Sequence, residues 1–179
     1  MQRGFFVVFT LCVLLVGTVL GGKDQAPTGK QAMDKPSPDI QVNPIGRVTR
    51  QNDLSLIEIR PELASALEGL EGFSHVWVLY WFHENDRPER RAILKVHPRR
   101  DPTNPLTGVF ATRSPMRPNL IALTCCRIVS VKKNVLEVEG LDAREGSPVL
   151  DLKPYIPYSD ALPEAKVPWW VNKIRKKKE

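Results

Sequence analysis

The chain has 179 residues, 42% of them hydrophobic and 26% charged, with 26 Lys and Arg against 20 Asp and Glu for a net charge of +6. That length and apolar content supply one globular domain with appendages and exclude a second core of comparable size. Three cysteines, with no Cys-x-x-Cys pair and no His at metal-ligand spacing, exclude a disulfide framework and a zinc site, so no metal is expected.

Arg3 precedes residues 4–22, an uncharged run dense in Phe, Val and Leu that ends abruptly at Lys23-Asp24. Residues 1–22 therefore read as a signal peptide or a membrane anchor. The run is longer than the roughly 7 to 15 apolar residues of a cleaved signal core and close to the roughly 17 to 25 of a spanning helix. Val19 and Gly21 offer the small pair that precedes a cleavage site, and Cys12, in mid-run, is misplaced for a lipid anchor. Arg3 keeps the N-terminus inside. The rest of the chain is then exported or membrane-anchored on the outer side, and cytoplasmic only if an anchor is inverted. Residues 23–43 hold Pro27, Pro36 and Pro38 among charged and amide side chains, a composition of a flexible linker.

The globular domain is expected over 44–160. Residues 45–49 and 55–59 read as short strands, the second alternating Leu56 and Glu58 against Ile57 and Ile59. Pro61 suits a helix start, and Leu63, Ala66, Leu67 and Leu70 recur at helical spacing, which predicts one short amphipathic helix. Residues 74–83, SHVWVLYWFH, are β-branched and aromatic on both alternating faces and predict a central strand covered on both sides. Residues 85–101 carry Arg87, Arg90, Arg91, Lys95, Arg99 and Arg100 around an alternating strand at 92–96. This is a solvated face or a patch that tracks phosphates. Residues 120–131 and 135–139 predict an antiparallel pair turning at Lys133-Asn134, with Cys125 and Cys126 on opposite faces as core-filling residues. A further strand over 149–152 runs into a Pro-bounded segment ending at Tyr158, and residues 161–179 form a C-terminal extension with a frayed basic tail. Six or seven strands, one short helix, no βαβ alternation and no G-x-G-x-x-G exclude a Rossmann-type domain. The expected fold is mainly β: a predominantly antiparallel β-barrel with one short helix and peripheral loops.

The stretch 108–124, GVFATRSPMRPNLIALT, sets two arginines, two prolines and an asparagine between apolar runs. Ser-Pro and Arg-Pro push Ser114 and Arg117 out of the α region, so Arg113 and Arg117 are presented from a stiff loop that can surround a carboxylate, a phosphate or a base. This run, preceded by EGFSHVWVLYWFH at 71–83 and followed by GSPVLDLKPYIPYSD at 146–160, resembles the TsaA-like (TrmO) family of S-adenosylmethionine-dependent tRNA methyltransferases.

That resemblance implies a β-barrel that forms homodimers, with S-adenosyl-L-methionine as cofactor and tRNA as partner. The implied reaction is N6-methylation of a threonylcarbamoyladenosine beside the anticodon, an in-line displacement at a sulfonium methyl that requires alignment in a dry pocket and no invariant nucleophile; no catalytic residue is assigned. Carried over by position, the donor contacts are His83, Glu84, Arg113, the backbone of Leu123, and the turn Arg144, Glu145, Gly146 and Ser147. Arg117, Asn119, Asp151, Lys153 and Tyr155 flank the acceptor, with Arg117 or Lys153 facing the threonylcarbamoyl carboxylate. The chain departs from the family pattern in three places. The loop after the first strand is short, leaving Arg50-Gln51 where a Pro-Arg-Gln element touches the donor; Leu120 and Ala122 replace a proline and a glycine; and Glu145-Gly146-Ser147 replaces Asp-Gly-Thr. Because export separates a chain from tRNA and S-adenosylmethionine, a second class of function stands beside the enzyme: an exported, non-enzymatic barrel that binds a small anionic or nucleoside-like ligand or a protein. An uncleaved N-terminal segment adds the membrane as a partner.

Overall fold

The computed structural model describes residues 40–176 apart from Asn52. The expected N-terminal signal or anchor and most of the linker lie outside the described residues, and no described helix is long and apolar enough to cross a membrane.

The sequence alternation generates the fold directly. Strands β1 (Gly46–Gln51), β2 (Leu54–Ile59), β3 (His75–Trp81), β6 (Ile121–Lys132), β7 (Val135–Glu139) and β8 (Pro148–Pro154) close into a barrel in the order β1-β2-β7-β6-β3-β8. Every pairing around it is antiparallel. Closure removes the exposed strand edges of an open sheet. One alternating set from each strand fills the interior: Val48, Ile57, Ile59, Val76, Val78, Tyr80, Ala122, Cys126, Leu136, Val138 and Val149 are all buried together. The interior of so narrow a barrel is side chains.

Two local devices shape the barrel near one end. Between β3 and β8 the register shifts, pairing Leu79 with Asp151 but Tyr80 with Val149. This bulge lets Val149 and Leu152, three residues apart, both face inward, which strict alternation forbids. The β1–β8 seam has only two paired positions, and it is extended by Val48 N–H donating to the Ser147 carbonyl (3.0 Å) and Gly146 N–H to the Val48 carbonyl (2.8 Å). Gly146 makes that turn at φ +74°, a left-handed conformation that favours glycine. At Gly46 a Cβ would collide with the Glu58 carbonyl across the β1–β2 pair, so glycine permits the close approach there.

Several local expectations need correction. Residues 61–67 (Pro61–Leu67) and 70–72 (Leu70–Gly72) form two 3-10 helices instead of one amphipathic α-helix, separated by the left-handed Gly69 at φ 87°. The break follows from the glycine, and Leu67 still reaches the core. On β3 only Val76, Val78 and Tyr80 are buried; His75, Trp77, Leu79 and Trp81 are half-covered, because a barrel offers an enclosed interior to one face alone. The predicted strand at 92–96 shrinks to β4 (Lys95–Val96), paired with β5 (Thr107–Gly108), after a short helix α1 (Pro88–Arg91) begun by Pro88. Cys126 is core-filling, whereas Cys125 faces outward and is half-buried; both are free thiols. The expected frayed tail starts as helix α3 (Trp169–Lys176), anchored by the buried Trp170 and by Lys173 Nζ donating to Thr103 Oγ1 at 2.6 Å. A one-turn helix α2 (Pro157–Asp160) precedes it.

Candidate functional site

The interior of β3 runs out at Tyr80, and a cleft of about 380 Å³ opens just beyond it. Its floor is Tyr80 and Phe82, whose rings meet edge to face at 5.7 Å between centroids. Tyr80 is 3% exposed. Its hydroxyl donates to the Asp142 carbonyl at 2.8 Å and lies 3.4 Å from Thr124 Oγ1. Burial raises its pKa above the ordinary value of 10.0, so the phenol stays a neutral donor.

Five separate segments supply the walls. His83, Glu84 and Asn85 form a 3-10 turn where β3 ends. Arg90 comes from α1, and Arg100 from the turn Pro98–Arg100. Arg113 and Pro115 come from the Pro-stiffened loop, while Asp142, Arg144 and Ser147 lie on the strap joining β7 to β8. Ser147 is 2% exposed, and its Oγ sits 3.3 Å from His83 Nδ1, which ties the strap to the end of β3. Arg144 Nε reaches Glu84 Oε2 at 3.5 Å across the mouth. Both of those side chains are largely exposed, so this pair orders the rim more than it stabilises the fold.

The strap is held from β1. Arg50 Nε and Nη2 donate to the Ala143 carbonyl at 3.2 and 2.8 Å, and Nη2 also donates to the Leu141 carbonyl at 3.1 Å. Arg50 N–H donates to Glu145 Oε2 at 2.7 Å. Arg50 and Gln51, expected in a loop after the first strand, are instead the last residues of β1, paired with Ser55 and Leu54 of β2, and from there Arg50 organises the strap from behind. A second clamp ties the end of β3 to the Pro-stiffened loop. Arg91 Nε donates to Asp86 Oδ1 at 2.8 Å, its Nη1 donates to the Pro118 carbonyl at 3.0 Å, and its guanidinium lies 5.3 Å from the Trp81 ring centre. The Trp81 indole N–H, at 3.0 Å, and then the Arg91 guanidinium hold the Asp86 carboxyl below its ordinary value of 3.8. Of the basic run at 87–100, Arg91 is therefore a structural residue and Arg90 and Arg100 face the cleft.

The structure brings five of the sequence-predicted donor residues to one place: His83, Glu84, Arg113, Arg144 and Ser147 all line the cleft. Glu145 and Gly146 belong to the same strap but form its turn, one through Arg50 and the other through its left-handed backbone. Leu123 pairs with Leu79 on the outer face of β6 and is 43% exposed. The predicted acceptor residues divide. Arg117 and Asn119 sit in the loop beside Met116 and Leu120, which are buried beneath it. Asp151 and Lys153 form an ion pair at 2.9 Å on β8, and Tyr155 packs against Trp77 at 5.8 Å and His75 at 6.3 Å, at the far end of β3 from His83. Leu120 and Ala122, in place of the family's proline and glycine, are both buried, so their side chains are packing groups.

Sequence reasoning missed Tyr80, Phe82, Asn85, Arg90, Arg100, Pro115 and Asp142 as cleft residues. Arg90 and Arg100 were visible as basic residues near a strand end, but nothing local distinguished them from Arg91. Among the described residues no group of His, Cys, Asp and Glu is arranged to hold a metal. A separate hollow of about 330 Å³ beside Pro61, Ser65 and Lys133 is more open and gathers no such set of titratable groups.

The tRNA-methyltransferase O N-terminal domain family matches residues 36–161 of the chain. A probable S-adenosyl-L-methionine-binding protein of Methanocaldococcus jannaschii is 43% identical over 112 residues, which is 63% of this chain and 89% of that one. A tRNA (adenine(37)-N6)-methyltransferase of Mus musculus is 48% identical over 91 residues, 51% of this chain but only 20% of the mouse protein. A crystal structure of TrmO superposes with a TM-score of 0.57 at 36% identity, covering 72% of this chain and 62% of that one. The chain thus spans less than two thirds of that solved relative.

Proposed function

Because the chain belongs to the family of tRNA-methyltransferase O N-terminal domains, we propose that it is an S-adenosylmethionine-dependent methyltransferase whose donor occupies the cleft at the end of β3. The acceptor is the N6 nitrogen of threonylcarbamoyladenosine in tRNA. The observation that carries this reading is the convergence of His83, Glu84, Arg113, Arg144 and Ser147 from three separate segments on one cleft.

The donor supplies a methyl on a sulfonium that is already a good leaving group, so the work of the chain is alignment and exclusion of water. Tyr80 and Phe82 provide a floor of aromatic surface suited to an adenine ring or an alkyl chain. Arg113 and Arg144 supply charge-assisted donors for a carboxylate, and Glu84 an acceptor for an ammonium or ribose hydroxyls. His83, oriented through Ser147, stands where β3 ends and positions the reacting region without serving as a nucleophile.

The test is calorimetric titration of the full-length chain with S-adenosylmethionine, followed by methyl transfer to tRNA carrying threonylcarbamoyladenosine. Arg113→Ala is expected to weaken donor binding by about tenfold or more, the effect of losing roughly 1.5 to 3 kcal/mol of charge-assisted hydrogen bonding. Its melting temperature should stay within a few degrees. Absence of donor binding in the wild type at millimolar ligand overturns the enzyme and favours a barrel that binds another small anion or a protein.

Association as a homodimer and placement by the N-terminal segment belong to the same proposal. Light scattering of the purified chain tests the first. A reporter active only outside the cytoplasm, fused after Asn43, tests the second: signal supports export or outward anchoring, and silence places the domain with its tRNA.

A further inference from the structure

We propose that Arg100 recognises an aliphatic carboxylate in the cleft, beside Arg113. This rests on the methyltransferase reading above, in which two such carboxylates exist: that of the donor's methionine portion and that of the threonylcarbamoyl group.

The first observation is the backbone. Arg99 and Arg100 are consecutive residues at φ 61° and 56°, in the left-handed region that residues with a Cβ seldom occupy. Strain of this kind persists where its surroundings over-determine it, and it clusters at ligand sites. Here the surroundings do so. Asn104 is 2% exposed; its Nδ2 donates to the Pro98 carbonyl at 2.9 Å and its N–H to the Asp101 carbonyl at 3.0 Å. His97 Nδ1 donates to the Asn104 carbonyl at 2.8 Å, and Pro98 is buried beneath the turn. Glycine or asparagine would meet that backbone requirement at less strain, yet arginines stand there, and Arg100 is the one that lines the cleft.

The second observation is charge. Four guanidinium groups line the cleft: Arg90, Arg100, Arg113 and Arg144. Arg144 is engaged with Glu84, and Arg90 Nη1 donates to Met116 Sδ at 3.6 Å. Among the described residues neither Arg100 nor Arg113 has an ion-pair partner. Two unpaired planar forks on one concave surface match the geometry of bidentate carboxylate recognition. Lys153, by contrast, is paired with Asp151, and Arg117 is not among the residues lining the cleft. If Arg113 meets the donor, Arg100 remains for the acid of the acceptor.

The test compares binding of acid and ester to the full-length chain by calorimetry, which needs no turnover. In one arm the probes are threonylcarbamoyladenosine and its methyl ester. In the other they are S-adenosylhomocysteine and 5′-methylthioadenosine, which lacks the amino-acid portion. The wild type should prefer the acid over the ester by tenfold or more. Arg100→Ala should erase that preference, leave ester binding within twofold, and leave S-adenosylhomocysteine binding within twofold; Arg100→Lys should restore part of it. Loss of the S-adenosylhomocysteine preference instead supports the same clamp and assigns it to the donor carboxylate. If Arg100→Ala keeps both preferences at an unchanged melting temperature, or the wild type shows neither, the proposal is wrong. Failure of the wild type to bind S-adenosylhomocysteine strikes the methyltransferase reading, while the acid-to-ester ratio still decides the role of Arg100.

Discussion

Arg50 is the residue on which the cleft's strap most directly depends, and Arg50→Ala isolates that dependence. Its guanidinium serves two backbone carbonyls, those of Leu141 and Ala143, through contacts of 2.8 to 3.2 Å. Leu141 and Ala143 are 5% and 3% exposed, so truncation leaves acceptors beside buried packing. A hydrogen bond from a charged group contributes roughly 1.5 to 3 kcal/mol. Two such acceptors, discounted by about half because Arg50 is itself a surface residue, give a loss of about 1.5 to 3 kcal/mol. Urea unfolding of the full-length chain, followed by tryptophan fluorescence, should show a lower midpoint with an unchanged slope. Arg47→Ala, an exposed neighbour on the same strand, is the control and should stay within about 0.5 kcal/mol. Arg50→Lys should recover little, since a point charge cannot bridge two carbonyls as a fork does. Donor affinity should fall as well, because the strap also carries Arg144 and Ser147. An Arg50→Ala midpoint indistinguishable from that of Arg47→Ala would refute the claim that this arginine holds the strap.

Three other outcomes follow from the geometry. Ile57→Ala, at 0% exposure in the barrel interior, should cost about 2 to 5 kcal/mol, whereas Leu123→Ala, 43% exposed on the outer face, should cost far less; equal losses would mean that the inner and outer faces are misassigned. Because Trp81 and Arg91 depress the Asp86 carboxyl, its stabilising contribution is complete above the ordinary 3.8 and disappears as pH falls through the lower folded-state value. Acid titration of Asp86→Asn should therefore lack that part of the stability loss below about pH 4 seen in the wild type. Burial pushes the Cys126 thiol up to about 12 and raises Cys125 as well. Iodoacetamide at pH 8, mapped by tandem mass spectrometry, should label Cys125 slowly and Cys126 only after unfolding.

What the sequence determined by itself is the part of this protein governed by period and local chemistry. Alternation and β-branched composition specified strands at 55–59, 74–83 and 135–139, and a period of two means each can bury only one alternating set, here Ile57, Val76, Val78 and Leu136; which face of 74–83 that is was set by the barrel. Lys133-Asn134 marked the β6–β7 turn, where Lys133 is at φ 54°. The three-part resemblance marked the stretches that meet at the end of β3. Helix type was less legible: Leu63, Ala66 and Leu67 have helical spacing, but Gly69 interrupts it and only packing selects the tighter 3-10 form. Barrel closure, which left one face of β3 half-open, was decided by the β1–β8 seam and the bulge at Tyr80, both long-range pairings. The division among the arginines was likewise tertiary. Arg50 reaches a strap more than ninety residues away, Arg91 clamps Trp81 and Pro118, and Arg100 lines the cleft from a turn braced by the buried Asn104. A guanidinium's role is set by which carbonyl, carboxylate or open space lies within about 3 Å of it, and that neighbour comes from another part of the chain.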